Sequence, residues 1–271
     1  MKIGFLGAGN MAGAIIQGLT KSGFMQGTEL MIARRDAAQR AKLAKAYGVL
    51  EAEDNLHLVR ECDVIVLAVK PFLLMPVIDE IKPYIKEKHV ISIVAGWPFA
   101  SLKQAFAPSE PPLLRVSINT PVMVGEGASV FCEETTFSPD MLNWAKGFFG
   151  ALGTVRILPE RLFDAVVAAS GSAVAYVYAF IEAMGDGAVR LGLPRDTAYE
   201  LAAQAMVGAG KMVLETKAHP GALKDAVCSP AGSTIEAMYE LEKRGFRGAV
   251  MAAMDACAEK LKKMGPPDPK K

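Results

Sequence analysis

The chain opens with the apolar run Lys2–Leu6, then Gly7-Ala8-Gly9-Asn10-Met11-Ala12, then a helical pattern over Met11–Ser22 with Ile15, Ile16 and Leu19 on one side. A strand that passes through G-x-G-x-x-A straight into a helix leaves few folds open. Gly7 permits the tight turn, Gly9 lets the backbone approach a pyrophosphate, and Ala12 lets the helix pack close to the strand. Ala8, Asn10 and Met11 complete the turn, and the helix N-terminus turns its unpaired N–H groups toward the phosphates. The turn therefore implies a dinucleotide bound at the edge of a parallel sheet.

The first half continues in that style. Leu30–Ala33 reads as a strand, Ala37–Tyr47 as a helix, and Val64–Ala68 as a strand buried on both faces. Val90–Val94 and Leu113–Ser117 follow as strands. Gly127–Phe131 and Thr154–Leu158 flank a helix that opens at Ser138-Pro139-Asp140. This alternation predicts an α/β fold with a doubly wound, mostly parallel Rossmann-like sheet. From Glu160 onward only helices are expected: Glu160–Leu191, Asp196–Thr216, Pro230–Arg244 and Arg247–Met264. Gly192-Leu-Pro194, His219-Pro220-Gly221 and Gly245 punctuate them. The boundary is expected near residue 158, giving a nucleotide-binding domain over 1–158 and an all-helical domain over 159–271. In the last helix Val250, Met254, Cys257, Leu261 and Met264 form a seam at 4-3-4-3 spacing, suited to packing on another helix.

The end of the second strand bears on cofactor choice. An acid usually stands there to bind the ribose hydroxyls. Here the strand ends Ala33-Arg34-Arg35-Asp36, and the forked guanidiniums of Arg34 and Arg35 suit a 2′-phosphate. NADPH is expected, with NADH the alternative, since Asp36 can serve the ribose if the strand ends later. Three further loops follow strand ends, where ligands collect in such sheets. They are Ala68-Val69-Lys70-Pro71, Ala95-Gly96 and Asn119-Thr120-Pro121.

Half of the 271 residues are hydrophobic and the net charge is +1, with acids and bases interspersed. That leaves no footprint for nucleic acid or a charged membrane surface. Cys62, Cys132, Cys228 and Cys257 form no C-x-x-C pair, which suits free thiols in a reducing compartment, the cytoplasm. With three scattered histidines, no metal site is expected. The chain enters a strand at once, so no cleaved leader is expected. Ala165–Phe180 is apolar but shorter than a span and interrupted by Ser170-Gly171-Ser172; it is read as a buried helix at a subunit contact. The lysine-rich tail after Leu261 is read as a solvated end.

The chemistry narrows near the C-terminus. Ser229 is a good helix N-cap and Pro230 a good first helical residue. Ala231, Gly232, Ser233 and Thr234 then make a first turn of small side chains. Its N–H groups would face a small anion, with hydroxyls beside it.

The longer string is His219-Pro220, Leu223-Lys224-Asp225, Val227, Ser229-Pro230, Gly232, Thr234-Ile235, Leu241-Glu242 and Gly245-Phe246-Arg247. It resembles the C-terminal signature of pyrroline-5-carboxylate reductases. Val69-Lys70-Pro71, Asn119-Thr120-Pro121, Val124-Gly125-Glu126-Gly127 and Asp164-Ala165-Val166 resemble other strings of the family, and the likeness runs from Gly7 to about Leu261. Two places depart. The family has R-x-M-P-N-T-P where this chain has Arg115-Val-Ser117-Ile118-Asn119-Thr120-Pro121. It has S-G-S-G-P-A-Y where this chain has Ser170-Gly171-Ser172-Ala173-Val174-Ala175-Tyr176. Losing that Gly and Pro removes a preset break from a long helix. Ala231 also stands where the family has Gly.

The resemblance implies NADPH-dependent reduction of the C=N bond of 1-pyrroline-5-carboxylate to L-proline. A protonated imine is already electrophilic, so the protein mainly orients two reactants and holds a carboxylate. The carboxylate is expected on the N–H groups of Gly232 and Ser233, with Asn119 and Thr120 also near the substrate. In the family the threonine of the T-I pair hydrogen-bonds the ring nitrogen, which implies Thr234 in that role with Ser229 beside it. The resemblance also implies a homo-oligomer: a dimer that exchanges helical domains, in some members assembled further into rings. Two enzyme alternatives keep the fold. A β-hydroxyacid dehydrogenase needs a lysine on the long interdomain helix, and none occurs between Arg161 and Gly210. A broader cyclic imine reductase stays open because of the altered Ser170–Tyr176 segment, as does a non-catalytic NADPH-binding regulator.

Overall fold

The computed structural model describes residues 1–264; the end of the lysine-rich tail lies outside them. The chain divides into two compact units, one of Met1–Ser172 with the residues from Cys257 onward, the other of Ala173–Ala256. Strands give way to helices after Leu158. The compact units, however, part 14 residues later, at Ser172, because the first helical stretch after the sheet still packs on it and the end of the last helix returns to it.

The first unit alternates as its apolar pattern requires: β1 (Ile3–Leu6), α1 (Asn10–Lys21), β2 (Leu30–Ala33), α2 (Ala37–Tyr47), the short β3 (Leu50–Glu51), α3 (Asn55–Glu61), β4 (Val64–Leu67), α4 (Leu74–Ile81), β5 (His89–Ser92), α5 (Phe99–Ala105) and β6 (Leu113–Ile118). Then come β7 (Gly127–Thr135), α6 (Pro139–Gly150) and β8 (Gly153–Leu158). Strand order is β3-β2-β1-β4-β5-β6-β7-β8. All pairs are parallel except β6 with β7. The first six strands thus have the 3-2-1-4-5-6 order of dinucleotide-binding sheets.

Neighbouring strand residues point to opposite faces, so the sheet has a core on each side. Ile3, Phe5, Val64 and Val66 join α1 and α6 on one face, with Ile15, Leu19, Phe148 and Phe149. Leu6, Ile65, Leu67 and Val90 join α3, α4 and α5 on the other, with Leu58, Ile78 and Leu102. Ser138 caps α6 by accepting from the Met141 amide, with Pro139 in the first turn.

The stretch expected as one helix over Glu160–Leu191 is segmented. A 3₁₀ turn leads into α7 (Phe163–Val166), a π-helical turn covers Val167–Gly171, and α8 spans Ala173–Arg190. The break survives without the family's Gly and Pro because hydrogen bonds make it. The Ser172 amide reaches back five residues to the Val167 carbonyl at 2.7 Å, the Ser170 hydroxyl donates to the Val166 carbonyl at 2.9 Å, and the Asn119 side chain donates to the Ser170 carbonyl at 3.2 Å.

The second unit holds α8, α9 (Arg195–Thr216), α10 (Pro220–Ala226), α11 (Ser233–Lys243) and most of α12 (Phe246–Lys262). Gly185 of α8 meets the Tyr199 ring of α9, where a Cβ would stand 2.6 Å from a ring carbon, so the two helices lie close. The Pro220 segment, expected as loop, is a helix capped by His219, whose Nδ1 accepts from the Gly221 amide at 3.0 Å. Glu160–Arg190 is long and apolar enough to cross a membrane by length and composition. Within the single chain Gly185 is the sole buried residue of α8. Tyr178, Leu201, Leu214, Val227 and Met251 of this unit are exposed as well.

Candidate active site

A cavity of about 800 Å³ opens over the C-terminal ends of the strands in the first unit. That is the size range of a small-molecule or cofactor site. Gly7 turns at φ +97, and a Cβ there would stand 2.8 Å from the Ala68 carbonyl, so only glycine fits. Gly9 differs: a Cβ there meets nothing within 4 Å and would project into open space. The first turn of α1 carries no side-chain cap at Gly9, so its N–H groups await an acceptor. A smooth glycine floor under an uncapped helix N-terminus fits a pyrophosphate.

Ala8, Asn10 and Met11 line the same cavity, as do Arg34 and Arg35, the loop Ala68, Val69 and Lys70, and also Ala95 and Thr120. Pro71 stands outside the lining, opening the 3₁₀ turn Pro71–Leu73. Asp36 caps α2 by accepting from the Gln39 amide at 3.0 Å, which engages the carboxylate the ribose would otherwise use. Arg34 donates to the Ala8 carbonyl at 3.0 Å. Arg40 in turn donates to the carbonyls of Arg34 and Glu53, each at 3.0 Å, and steadies the strand end.

Asn119 does not reach the cavity. It is buried, its Oδ1 accepts from the Ala128 amide at 2.8 Å, and its Nδ2 holds the Ser170 carbonyl. It ties β6, β7 and the π turn together.

Residues not expected at the site also line the cavity, among them Asn55, Ser117, Phe163, Asp164 and Leu261. Arg115 lies there too, its guanidinium 4.4 Å from the Phe163 ring centroid and paired with Glu160. Glu160 also accepts from the Phe99 amide at 2.6 Å, and the Cys132 thiol stands 3.8 Å from it. Burial, helped by the hydrogen bond to Glu134, pushes that thiol up to about 12. Arg115 and Glu160 are 45 residues apart in sequence, so no local pattern announces the pair.

In the second unit the Ser229 segment has another shape than expected. Helix α11 starts at Ser233 with Gly232 as N-cap, so Ser229 is not the cap. Ser229-Pro230-Ala231-Gly232 is instead a turn closed by the Gly232 amide on the Ser229 carbonyl at 3.0 Å, with Ala231 at φ +57. That bond uses the Gly232 N–H. The amides left for an anion are those of the first helical turn, starting with Ser233 and Thr234. The Ser229 hydroxyl lies over Gly232, 2.3 Å from where a Cβ would be. Lys224 pairs with its neighbour Asp225, and Arg247 with Glu242 at 2.6 Å.

Residues 160–264 match the family model for pyrroline-5-carboxylate reductase dimerisation, and residues 2–96 the model for NADP oxidoreductase, coenzyme F420-dependent. The chain is 40% identical over 264 residues to the pyrroline-5-carboxylate reductase of Escherichia coli, covering 97% of this chain and 98% of that one. The chain belongs to the pyrroline-5-carboxylate reductase family. The reductase of Methanosarcina acetivorans is 42% identical over 267 residues, at 97% and 98% coverage. A solved pyrroline carboxylate reductase of Plasmodium falciparum with NADP bound superposes with a TM-score of 0.89 at 32% identity, covering 98% of each chain. Against the pattern of these reductases, the altered Ser170–Tyr176 segment keeps its broken helix, and Ala231 takes a left-handed backbone that glycine adopts without strain.

Proposed function

We propose that this chain reduces 1-pyrroline-5-carboxylate to L-proline with NADPH. The observation that carries the reading is full-length likeness to reductases of that name, with both the glycine turn and the Ser229–Thr234 segment present in this chain. When bound, NADPH supplies the hydride that goes to the carbon of the C=N bond. Gly7, Gly9 and the start of α1 hold the pyrophosphate, and Arg34 and Arg35 face the 2′-phosphate. The Ser233 and Thr234 amides take the substrate carboxylate. The Thr234 hydroxyl orients the ring nitrogen, with Ser229 beside it. A hydroxyl is a poor acid at neutral pH, so Thr234 positions or relays a proton and is not its source.

The exposed apolar helices support a dimer formed through the second unit, whose faces a second copy of the chain would cover. Assembly of dimers into rings is a further expectation. The scattered charge supports no nucleic-acid or membrane partner, and the four free thiols support the cytoplasm.

The test is oxidation of reduced nicotinamide with pyrroline-5-carboxylate, beside the same assay with carboxylate-free 1-pyrroline. Turnover that requires the carboxylate is expected; equal turnover without it would make the chain a broader imine reductase. Thr234→Ala should lower kcat/KM by about a hundredfold, the scale of a lost orienting contact, with the Kd for NADPH unchanged. Full activity in that variant would remove Thr234 from the site.

A further inference from the structure

The spacing of Val250, Met254, Cys257, Leu261 and Met264 predicts a seam that packs on a helix. Its last three members lie against the sheet-bearing unit instead. The Cys257 thiol is 3.1 Å from the Ser172 hydroxyl. Leu261 lines the dinucleotide cavity and is the one buried residue of α12, 8% exposed. Backbone and side-chain atoms of Met264 stand 3.2–3.3 Å from where a Cβ on Gly96 would be, and Gly96 itself turns at φ +78. A spacing of four puts Cys257 and Leu261 on one helical face, and Met264 follows in the turn after the helix. Asp164, a carboxylate of the cavity wall, acts on Lys262 in the same turn as an opposite charge.

The sheet order fixes which end of the cavity this is. Arg34 and Arg35 follow β2, on one side of β1; Gly96 follows β5, on the other side. In this fold the adenosine half lies over the β2 side and the second nucleotide over the β4–β6 side. The loop that Met264 touches belongs to the second half.

We infer that the last turn of α12 is the wall against which the nicotinamide half of the cofactor packs, with Leu261 as the residue that sets its position. The inference rests on the dinucleotide reading above. Val250 and Met254 of the seam belong to the helical unit, and Cys257, Leu261 and Met264 to the unit that holds the cavity. Leu261 belongs with the residues that touch cofactor, although it lies more than 250 positions from the glycine turn.

The experiment compares two ligands on the full chain: NADPH, and 2′-phosphoadenosine 5′-diphosphoribose, which keeps everything except the nicotinamide. Kd values are measured by calorimetry for the parent, Leu261→Ala and Leu261→Met, together with kcat and KM. In Leu261→Ala, NADPH should bind on the order of tenfold more weakly, the scale for losing two buried methyl groups. The fragment should bind as in the parent, which also reports an intact fold. Leu261→Met should recover most of the loss. If Leu261→Ala does not fold, Leu261→Val makes the same comparison, with a loss of about threefold. Unchanged NADPH binding, or equal weakening of both ligands, would overturn the inference. A parent that binds neither ligand would instead overturn the cofactor reading beneath it.

Discussion

Glu160 offers a direct test of what holds the cavity wall in place. Its carboxylate accepts from the Phe99 amide and pairs with Arg115, whose side chain is 10% exposed against 25% for Glu160. Glu160→Ala leaves a half-buried N–H without its acceptor, about 1–2 kcal/mol. It also strands a guanidinium. For a fully buried pair that costs about 3–5 kcal/mol, but Arg115 borders the cavity, where water can reach it, and about 2–3 kcal/mol is the better figure. The sum is a loss of about 3–5 kcal/mol. Glu160→Gln keeps an acceptor for Phe99 and should lose only the ionic part. Arg115→Met/Glu160→Leu removes both charges together and should be less damaging than the two single changes added, by at least about 1.5 kcal/mol. The assay is urea unfolding at one fixed protein concentration, since a dimer's stability depends on it. A Glu160→Ala variant within about 1 kcal/mol of the parent, or single changes that simply add, would refute the account of a partly buried, mutually dependent pair.

Other outcomes follow from single features. Arg35→Ala should weaken NADPH by roughly ten- to a hundredfold, the scale of a charge-assisted contact, and leave NADH almost unchanged, as paired Kd measurements would show. Ala231→Gly relieves a left-handed alanine worth about 1–2 kcal/mol, less the greater freedom of glycine in the unfolded chain. A net gain of about 0.5–1 kcal/mol should appear as a small rise in Tm, and a fall in Tm would contradict the turn. Burial raises the Cys62 and Cys132 thiols to about 12, above their unfolded value near 9. Their contribution is therefore full below pH 9 and is lost between 9 and 12, at up to about 1.4 kcal/mol per pH unit for each. Cys62→Ala/Cys132→Ser should flatten that alkaline slope in urea titrations; an unchanged slope would assign it to other groups.

What the sequence disclosed follows from how local each signal is. The glycine turn, β2 and α2 were legible because a continuous buried strand or a capped helix writes its pattern within a dozen residues. The mostly parallel sheet followed from that alternation. The breaks were harder. The π turn at Val167–Gly171 depends on Asn119, about fifty residues earlier, so loss of the helix-breaking residues looked like loss of the break. Helix α10 was hidden because Pro220 and Gly221 read as loop, although proline in a first turn behind a capping histidine is compatible with a helix. Ser229 was a plausible cap, but the amide of Gly232 takes its carbonyl first and moves the helix start to Ser233. The seam of α12 showed its periodicity plainly; periodicity names a face and leaves open what that face meets.

The bond from Arg34 to the Ala8 carbonyl bears on how this protein could be re-engineered. A designer who wanted an NADH enzyme would treat the arginine pair as an interchangeable cassette. Only half of it is. Arg35 carries no such tether to the glycine turn and can be exchanged on its own merits. Arg34 is stitched to the peptide that shapes the pyrophosphate floor, so replacing it alters the common part of both cofactors along with the part that distinguishes them. A redesign that begins at Arg35 and leaves Arg34 in place keeps the two problems separate.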